Sequence, residues 1–130
     1  MGRYLIRRAL FMILVIMSQA VVETESSLVF VSGQVDWDHH HQVSQTSVSG
    51  QFEVALENLR TVLAAAGSSV DNLLQVRIYV RGELEEHMES LAPILARFLG
   101  SSRPAVTGIG VASLASKATL VEVEAVAKAK

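Results

Sequence analysis

RPAVTGIGV at residues 103–111 and LVEVEAVA at residues 120–127 are the two stretches that decide the fold of this chain. Each is a short run of aliphatic and β-branched residues, which is typical of a strand packed in a sheet. The second carries Glu122 and Glu124 two positions apart, so both carboxylates point to the same face of the strand. An ionised carboxylate on so apolar a strand requires a partner, a ligand or a second subunit.

The composition limits the class of protein. A chain of 130 residues fits one domain, which we place over residues 1–130. Half of its residues are hydrophobic and 18% are charged, which favours a compact domain over disorder. A net charge of −2 offers no basic surface for nucleic acid. The absence of cysteine excludes disulfide scaffolds, thiolate metal sites and cysteine nucleophiles.

Hydrophobic periodicity outward from the two stretches predicts alternating strands and helices. The second helix contains Pro93, which predicts a kink or a break into two pieces. Residues 35–48 read as a polar loop, with a minor strand near residues 42–43 as an option. The predicted elements are a strand over residues 28–31, a helix over 50–66, a strand over 73–80, a helix over 83–99, and strands over 105–111 and 118–127.

Each predicted helix has a single apolar stripe, so both are expected to cover the same face of one sheet. The opposite face then carries polar and charged side chains together with aliphatic ones. That mixture is too apolar for bare solvent and too charged for the core of a monomer, so it predicts an oligomer that buries this face. Its polar members are Gln75, Arg77, Tyr79, Glu122 and Glu124.

The N-terminus permits two interpretations. Arg3, Arg7 and Arg8 lie before an apolar run over residues 9–17, which Ser18-Gln19-Ala20 follows. This order is typical of a signal peptide, and export is the alternative location. The run is far shorter than the ~20 residues that span a bilayer as a helix. We therefore predict a buried strand over residues 9–17, no membrane association and a cytoplasmic protein.

Four short motifs resemble those of the Rid/YjgF family, the reactive-intermediate imine deaminases. They are Ser32-Gly33-Gln34 after a strand, an A-A-G helix end at residues 65–67, Pro104-Ala105, and E-x-E-A at residues 122–125. The resemblance covers residues 18–130. It implies an α+β, chorismate-mutase-like single domain with two helices on one face of a mixed β-sheet. It also implies a homotrimer that binds a small-molecule ligand in clefts between subunits, without a cofactor.

The resemblance assigns the catalytic role to Glu122, which would position the water that hydrolyses an imine. A partly buried carboxylate has a raised pKa and is suited to act as a general base. The alternative is that Glu122 or Glu124 only pairs with Arg77. Gly33 would let backbone groups approach the substrate, and it is also interpreted as an ordinary turn glycine that requires a positive φ; the two can hold together.

Val106 departs from the family pattern. The family's arginine after P-A binds the carboxylate of an imino or enamino acid, and valine offers no donor. Arg103 lies three residues earlier, where a strand directs it to the opposite face unless Pro104 bends the chain. Gly108 and Met17 also replace common pocket residues, so the usual amino-acid-derived imine is not expected as substrate. The predicted substrate-binding residues are Gly33, Tyr79, Arg103, Val106 and Thr107.

A run of acidic and histidine side chains raises the question of a metal site. Successive side chains in an extended loop diverge and rarely converge on one ion, so we predict a solvated loop and no metal. The run comprises Asp36, Asp38, His39, His40 and His41.

Three functions compete. The first is an imine or enamine deaminase-like hydrolase with an altered pocket. The second is a trimer that binds a small metabolite without catalysis. The third, a ribonuclease or translation inhibitor, is disfavoured because the sequence has no basic patch.

Overall fold

The computed structural model describes the main chain of residues 2–5 and all of residues 17–38 and 40–130. Two α-helices lie in these ranges, α1 (Val48–Ala65) and α2 (Met88–Leu99). Short 3₁₀ turns, Val70–Asn72 and Leu84–His87, precede a strand and α2 respectively. The strands are β1 (Gly2–Leu5), β2 (Ala20–Glu23), β3 (Leu28–Gln34), β4 (Leu73–Arg81), β5 (Ala105–Val111) and β6 (Val121–Lys128).

These strands form one mixed sheet in the order β1-β2-β3-β6-β4-β5. The β4–β5 pair is parallel, because α2 connects the two strands as a crossover. The other neighbouring pairs are antiparallel. The strand that comes last among the described elements, β6, therefore lies inside the sheet between β3 and β4.

The core lies between the sheet and the two helices. Alternate residues of β6 point to this side and are buried, with Val121 and Val123 fully inaccessible. The apolar stripes of both helices pack against them, which confirms the predicted arrangement of two helices on one face of a mixed sheet. The buried helical residues include Phe52, Leu56, Leu59, Leu63, Leu91, Ile94 and Phe98.

The opposite side of the sheet, here called the open sheet face, carries the predicted polar mixture. Its members are half-buried or exposed in the single chain, and Phe30 is 46% exposed. The register sets Arg77 opposite Glu124 and Tyr79 opposite Glu122, so these pairs are cross-strand neighbours. We define the face by Phe30, Gln75, Arg77, Tyr79, Glu122 and Glu124.

The ends of α1 follow from local chemistry. The Ser47 hydroxyl accepts a hydrogen bond from the Gly50 backbone N–H at 3.0 Å, so the helix begins two residues before the predicted start. After α1, Gly67 adopts φ +78°, a left-handed conformation that glycine takes without strain.

The predicted second helix is divided into two pieces, but the division does not fall at Pro93. α2 runs without interruption through Pro93. The break lies earlier, where the 3₁₀ turn Leu84–His87 ends and α2 begins. Proline removes the N–H that would bond the carbonyl of Glu89, which is an exposed residue of the first helical turn and is open to solvent.

Three expectations about the region after residue 28 are also wrong. Strand β3 does not end at Val31 but continues through Gln34, with a bulge at Ser32 and Gly33. Gly33 is not among the described glycines with positive φ, which are Gly67, Gly82 and Gly100, so the interpretation as an ordinary turn glycine fails. No strand forms at residues 42–43.

The N-terminal region adds strands that the periodicity did not predict, β1 and β2. The buried strand predicted over residues 9–17 lies outside the described residues except for Met17, which is exposed and belongs to no strand. Among the described helices, none has the length and apolar character needed to cross a bilayer.

Candidate functional site

A cavity of about 220 Å³ lies where β3, the loop after it and β6 meet. Glu122 from β6 and Gly33 from β3 form one wall. The loop contributes two rings, Trp37 and His41, to another. The remaining lining residues are Met17, Ser18, Gln19, Ser32, Gln34, Val35 and Ala115.

Gly33 is required by its distance from Glu122. A Cβ atom at position 33 would lie 1.7 Å from Glu122 Oε1 and 2.5 Å from Glu122 Cδ. Any other residue would therefore displace the carboxylate. The bulge in β3 places Gly33 against β6. The contact between Gly33 and Glu122 therefore depends on how these two strands are paired.

The Glu122 carboxyl group is half-buried, and burial raises its pKa above the ordinary value. The negative charge of Glu124, on the same face of β6, raises the pKa further. Within the part of the chain that the structure describes, Glu122 makes no hydrogen bond or ion pair. The group is therefore available to bind or accept a proton from a molecule in the cavity.

Glu124 pairs with Arg77, which was the alternative role considered for either glutamate. Its Oε1 lies 3.5 Å from Arg77 Nη1 and accepts a hydrogen bond from the Tyr79 hydroxyl. That hydrogen bond raises the pKa of Tyr79. Tyr79, predicted to bind substrate, thus holds Glu124 while lying beside Glu122 in the register.

Polar contacts fix the segment before β2 against β3. Ser32 donates from both its backbone N–H and its hydroxyl to the Gln19 carbonyl, at 3.0 Å each. Gln34 Nε2 donates to Gln19 Oε1 at 3.1 Å and to the Ser32 carbonyl at 3.0 Å. These bonds fix Gln19, Ser32 and Gln34, which contribute polar groups to the lining of the cavity.

The loop after β3 is folded around Asp36, which is buried. Its carboxylate accepts from the Ser44 backbone N–H at 3.1 Å, from the Ser44 hydroxyl at 2.7 Å and from the Gln45 backbone N–H at 2.6 Å. The Asp36 oxygens therefore bind the loop itself. Among the described residues, which omit His39, no group of three His, Asp or Glu side chains is placed to hold a metal ion.

Gln51, a buried residue of α1, connects this loop to β6. Its Nε2 donates to the carbonyls of Gln45 and Ala118 at 2.9 and 2.8 Å, and its Oε1 accepts from the Leu120 backbone N–H at 2.8 Å. All three bonds join separate segments, so this amide fixes the position of the loop relative to the Glu122 strand.

Val106 lies on the other side of the sheet. In the parallel register it pairs with Val76, and Gly108 pairs with Ile78, so both point toward the helices. There Val106 borders a second, apolar cavity of about 240 Å³. Glu122 and Val106 therefore cannot line one cavity within a single chain. The other residues around the second cavity are Phe52, Ile78, Leu84, Met88, Leu91, Ala92, Leu95 and Gly108.

The remaining predicted substrate-binding residues lie apart from Glu122. Arg103 donates from Nη1 to the carbonyls of Gly100 and Ser102, at 2.7 Å each, and lines neither cavity. These bonds hold the Arg103 side chain at the end of α2. Thr107 is exposed and pairs with Arg77, on the side of the open sheet face.

Sequence reasoning missed Trp37 and the cavity role of His41. Both were assigned to a solvated loop because no hydrophobic period includes them. A lone tryptophan within a polar loop was the available signal, since so large a ring is rarely left in solvent.

Known proteins share the sequence pattern of this chain. The model of the Endoribonuclease L-PSP family matches residues 15–129. The chain belongs to this family. The mitochondrial protein MMF1 of Saccharomyces cerevisiae is 30% identical over 105 residues, which cover 81% of this chain and 70% of the relative. A RutC family protein of Pyrococcus horikoshii is 28% identical over 111 residues, covering 85% and 84%.

Solved structures of the L-PSP family have the same fold. A Mycobacterium tuberculosis member of the YjgF/YER057c/UK114 family superposes with a TM-score of 0.83 at 25% identity, covering 98% of this chain and 99% of that one. The predicted Rid/YjgF membership and the YjgF-like α+β fold are thereby confirmed.

Proposed function

We propose that the whole chain, residues 1–130, acts as a single Rid/YjgF-like domain that hydrolyses a small imine or enamine. Glu122 would accept a proton from the attacking water. The observation that carries this proposal is the half-buried carboxylate against Gly33, in a cavity, with its pKa raised by burial. A base with a raised pKa is better matched to proton transfer near neutral pH than an exposed glutamate.

The proposal requires a second copy of the chain. Glu122 and Val106 lie on opposite sides of the sheet, so the predicted site can be completed only by residues of two subunits. A homotrimer with a cleft between neighbouring subunits would supply them. The exposed Phe30 on the open sheet face supports burial of that face by another chain.

The substrate we propose has no carboxylate. Neither cavity has a lysine or arginine among its described lining residues, and the one around Val106 is wholly apolar. A carboxylate beside Glu122 would meet a negative group without a compensating cation. An uncharged imine with an apolar substituent fits both cavities.

The test compares two imines made in the assay, one from an amino acid by an amino-acid oxidase and one from an uncharged amine by an amine oxidase. We expect faster turnover of the second. Losing a charge-assisted contact costs ~2–5 kcal/mol. Val106→Arg should therefore raise turnover of the carboxylate-bearing imine by roughly 30- to 3,000-fold.

Glu122→Gln provides the catalytic control, because an amide cannot accept the proton from water. It should abolish turnover of both imines, alone and combined with Val106→Arg. If the wild type hydrolyses neither imine, the proposal is overturned. The non-catalytic binding trimer, which the apolar Val106 cavity also suits, would then be preferred.

The ribonuclease interpretation, which the family's name suggests, has less support. The described charged residue of the Glu122 cavity is an acid, which repels a phosphate backbone. The cytoplasmic location stays a prediction. The mitochondrial label belongs to the yeast relative.

A further inference from the structure

The histidine of the Glu122 cavity belongs to a ring pair. His41 meets Trp37 edge to face, with ring centroids 5.3 Å apart and an angle of 89° between the planes. Trp37 is in turn fixed by a hydrogen bond from its Nε1 to Thr119 Oγ1 at 3.2 Å. Thr119 is fully buried just before β6, so His41 is held in relation to the strand that carries Glu122.

The backbone of the loop also fixes His41. Its N–H donates to the Asp38 carbonyl at 3.0 Å, and the Asp38 N–H donates to the Gln42 carbonyl at 3.1 Å. The Asp38 carboxylate accepts from the backbone N–H groups of His40 and Gln42 at 2.7 and 3.0 Å. The Asp36 carboxylate fixes the end of this turn by accepting hydrogen bonds from the backbone N–H groups of residues 44 and 45.

His41 adopts φ +61°, one of two described non-glycine residues with positive φ. A non-glycine residue in this region is less stable than in the ordinary regions, so the surrounding structure must compensate. Here the strained conformation places the imidazole on the wall of the cavity. The arrangement places an imidazole in the lining of the cavity that contains the Glu122 carboxylate.

The lining of the cavity combines an imidazole with a carboxylate. Among its described residues, Glu122 is the one acid, and no lysine or arginine is present. The two side chains therefore offer an acid and a base to a molecule bound in one cavity.

We propose that His41 is the proton donor to the substrate nitrogen in the imine hydrolysis proposed above, on which this inference rests. Water attacks the imine carbon, Glu122 takes the water proton, and His41 gives its proton to the nitrogen, which forms a neutral carbinolamine. Glu122 then protonates the amine as the carbon–nitrogen bond breaks, and His41 takes the hydroxyl proton. The products are a carbonyl compound and ammonia, with both side chains restored.

The test is chemical rescue. His41→Gly suits a positive φ and leaves space for a free imidazole ring. We expect turnover of the uncharged imine to fall by roughly 10²- to 10⁴-fold, the usual contribution of a positioned acid. Added imidazole should restore turnover, and more effectively at a pH where imidazole is protonated. His40→Gly, in the exposed neighbour, is the matched control and should keep wild-type turnover.

The outcomes separate this inference from the proposed function. An active wild type with an equally active His41→Gly would refute the role of His41 and leave the function intact. Loss of turnover in His41→Gly without rescue, with turnover retained in His41→Phe, would mean that the ring shapes the cavity rather than donating a proton. An inactive wild type would overturn both proposals.

Discussion

The Glu122 carboxylate occupies space that a side chain at position 33 would fill, as the 1.7 Å approach to a Gly33 Cβ shows. Because glycine has no Cβ, this space stays open to the Glu122 carboxylate. Gly33 lets a charged group lie against main chain in a half-buried place, where the ionised form is less stable than in water. Burial raises the pKa of Glu122, and the charge of Glu124 raises it further.

This shift predicts a pH-dependent stability. Because burial and Glu124 raise the folded-state pKa of Glu122 above 4.5, the folded protein binds this proton more tightly than the unfolded chain. The resulting stabilisation is complete below pH 4.5 and is lost as the pH rises through the folded-state pKa. Glutamine stays uncharged, so Glu122→Gln should raise the melting temperature more at pH 7 than at pH 4.

Melting curves of wild type and variant at both pH values measure this difference. An increase from Glu122→Gln that is equal at pH 4 and pH 7 would contradict a raised pKa.

The sequence alone predicts part of the arrangement of Glu122 and Glu124. The two-residue period of a strand was enough to put Glu122 and Glu124 on one face. Which of them meets Arg77 could not be predicted, because the β4–β6 register shifts at a bulge between Leu73 and Gln75. A bulge depends on contacts between strands distant in sequence, which periodicity does not contain.

Strand β5 illustrates the same limit at the scale of an element. Its existence was clear from its β-branched residues, but the reason for two glycines in it was not. A Cβ at Gly110 would lie 2.5 Å from the Gly82 carbonyl oxygen, which is main chain. A Cβ at Gly108 would lie 2.7 Å from Leu84 Cδ2, the end of a flexible side chain.

The two positions therefore form a matched pair. Gly110→Ala forces the backbone of β5 or of the turn at Gly82 to move, and should cost about 1–3 kcal/mol of unfolding free energy. Gly108→Ala requires only a new rotamer of Leu84 and should cost less than about 1 kcal/mol. Urea unfolding midpoints measure both, and equal losses would contradict this account.

Elements that depend on tertiary contacts were the ones missed. β2 has only four residues and is fixed by pairing with β3, so no local pattern marks it. The 3₁₀ turn before α2 likewise contains Leu84, whose side chain lies over Gly108 of β5, a contact that no local pattern contains. Strong periodicity predicted α1, β4 and β6 within a few residues.

At the scale of the whole molecule, the open sheet face was predictable in composition and remains without a cover in the single chain. We expect sedimentation equilibrium at micromolar concentration to give the mass of three 14.1 kDa chains. Phe30→Asp places a charge at the exposed ring of this face and should yield monomers that have lost turnover. Ala64→Asp, at an exposed position of α1, should change neither property.

A monomeric wild type would refute the assembly and, with it, a site built from two subunits. A monomeric Phe30→Asp variant with undiminished turnover would show that one chain suffices.

The place of β6 in the sheet has a consequence for synthesis on the ribosome. Its neighbours β3 and β4 are translated well before it, and Leu28 pairs with Lys128 across a hundred residues of chain. Until β6 emerges, β3 and β4 each have an unpaired edge, and α1 lacks part of the sheet against which it packs. Between the synthesis of β3 and that of β6 the nascent chain is thus open to wrong strand pairing, and the sheet closes only once β6 is available.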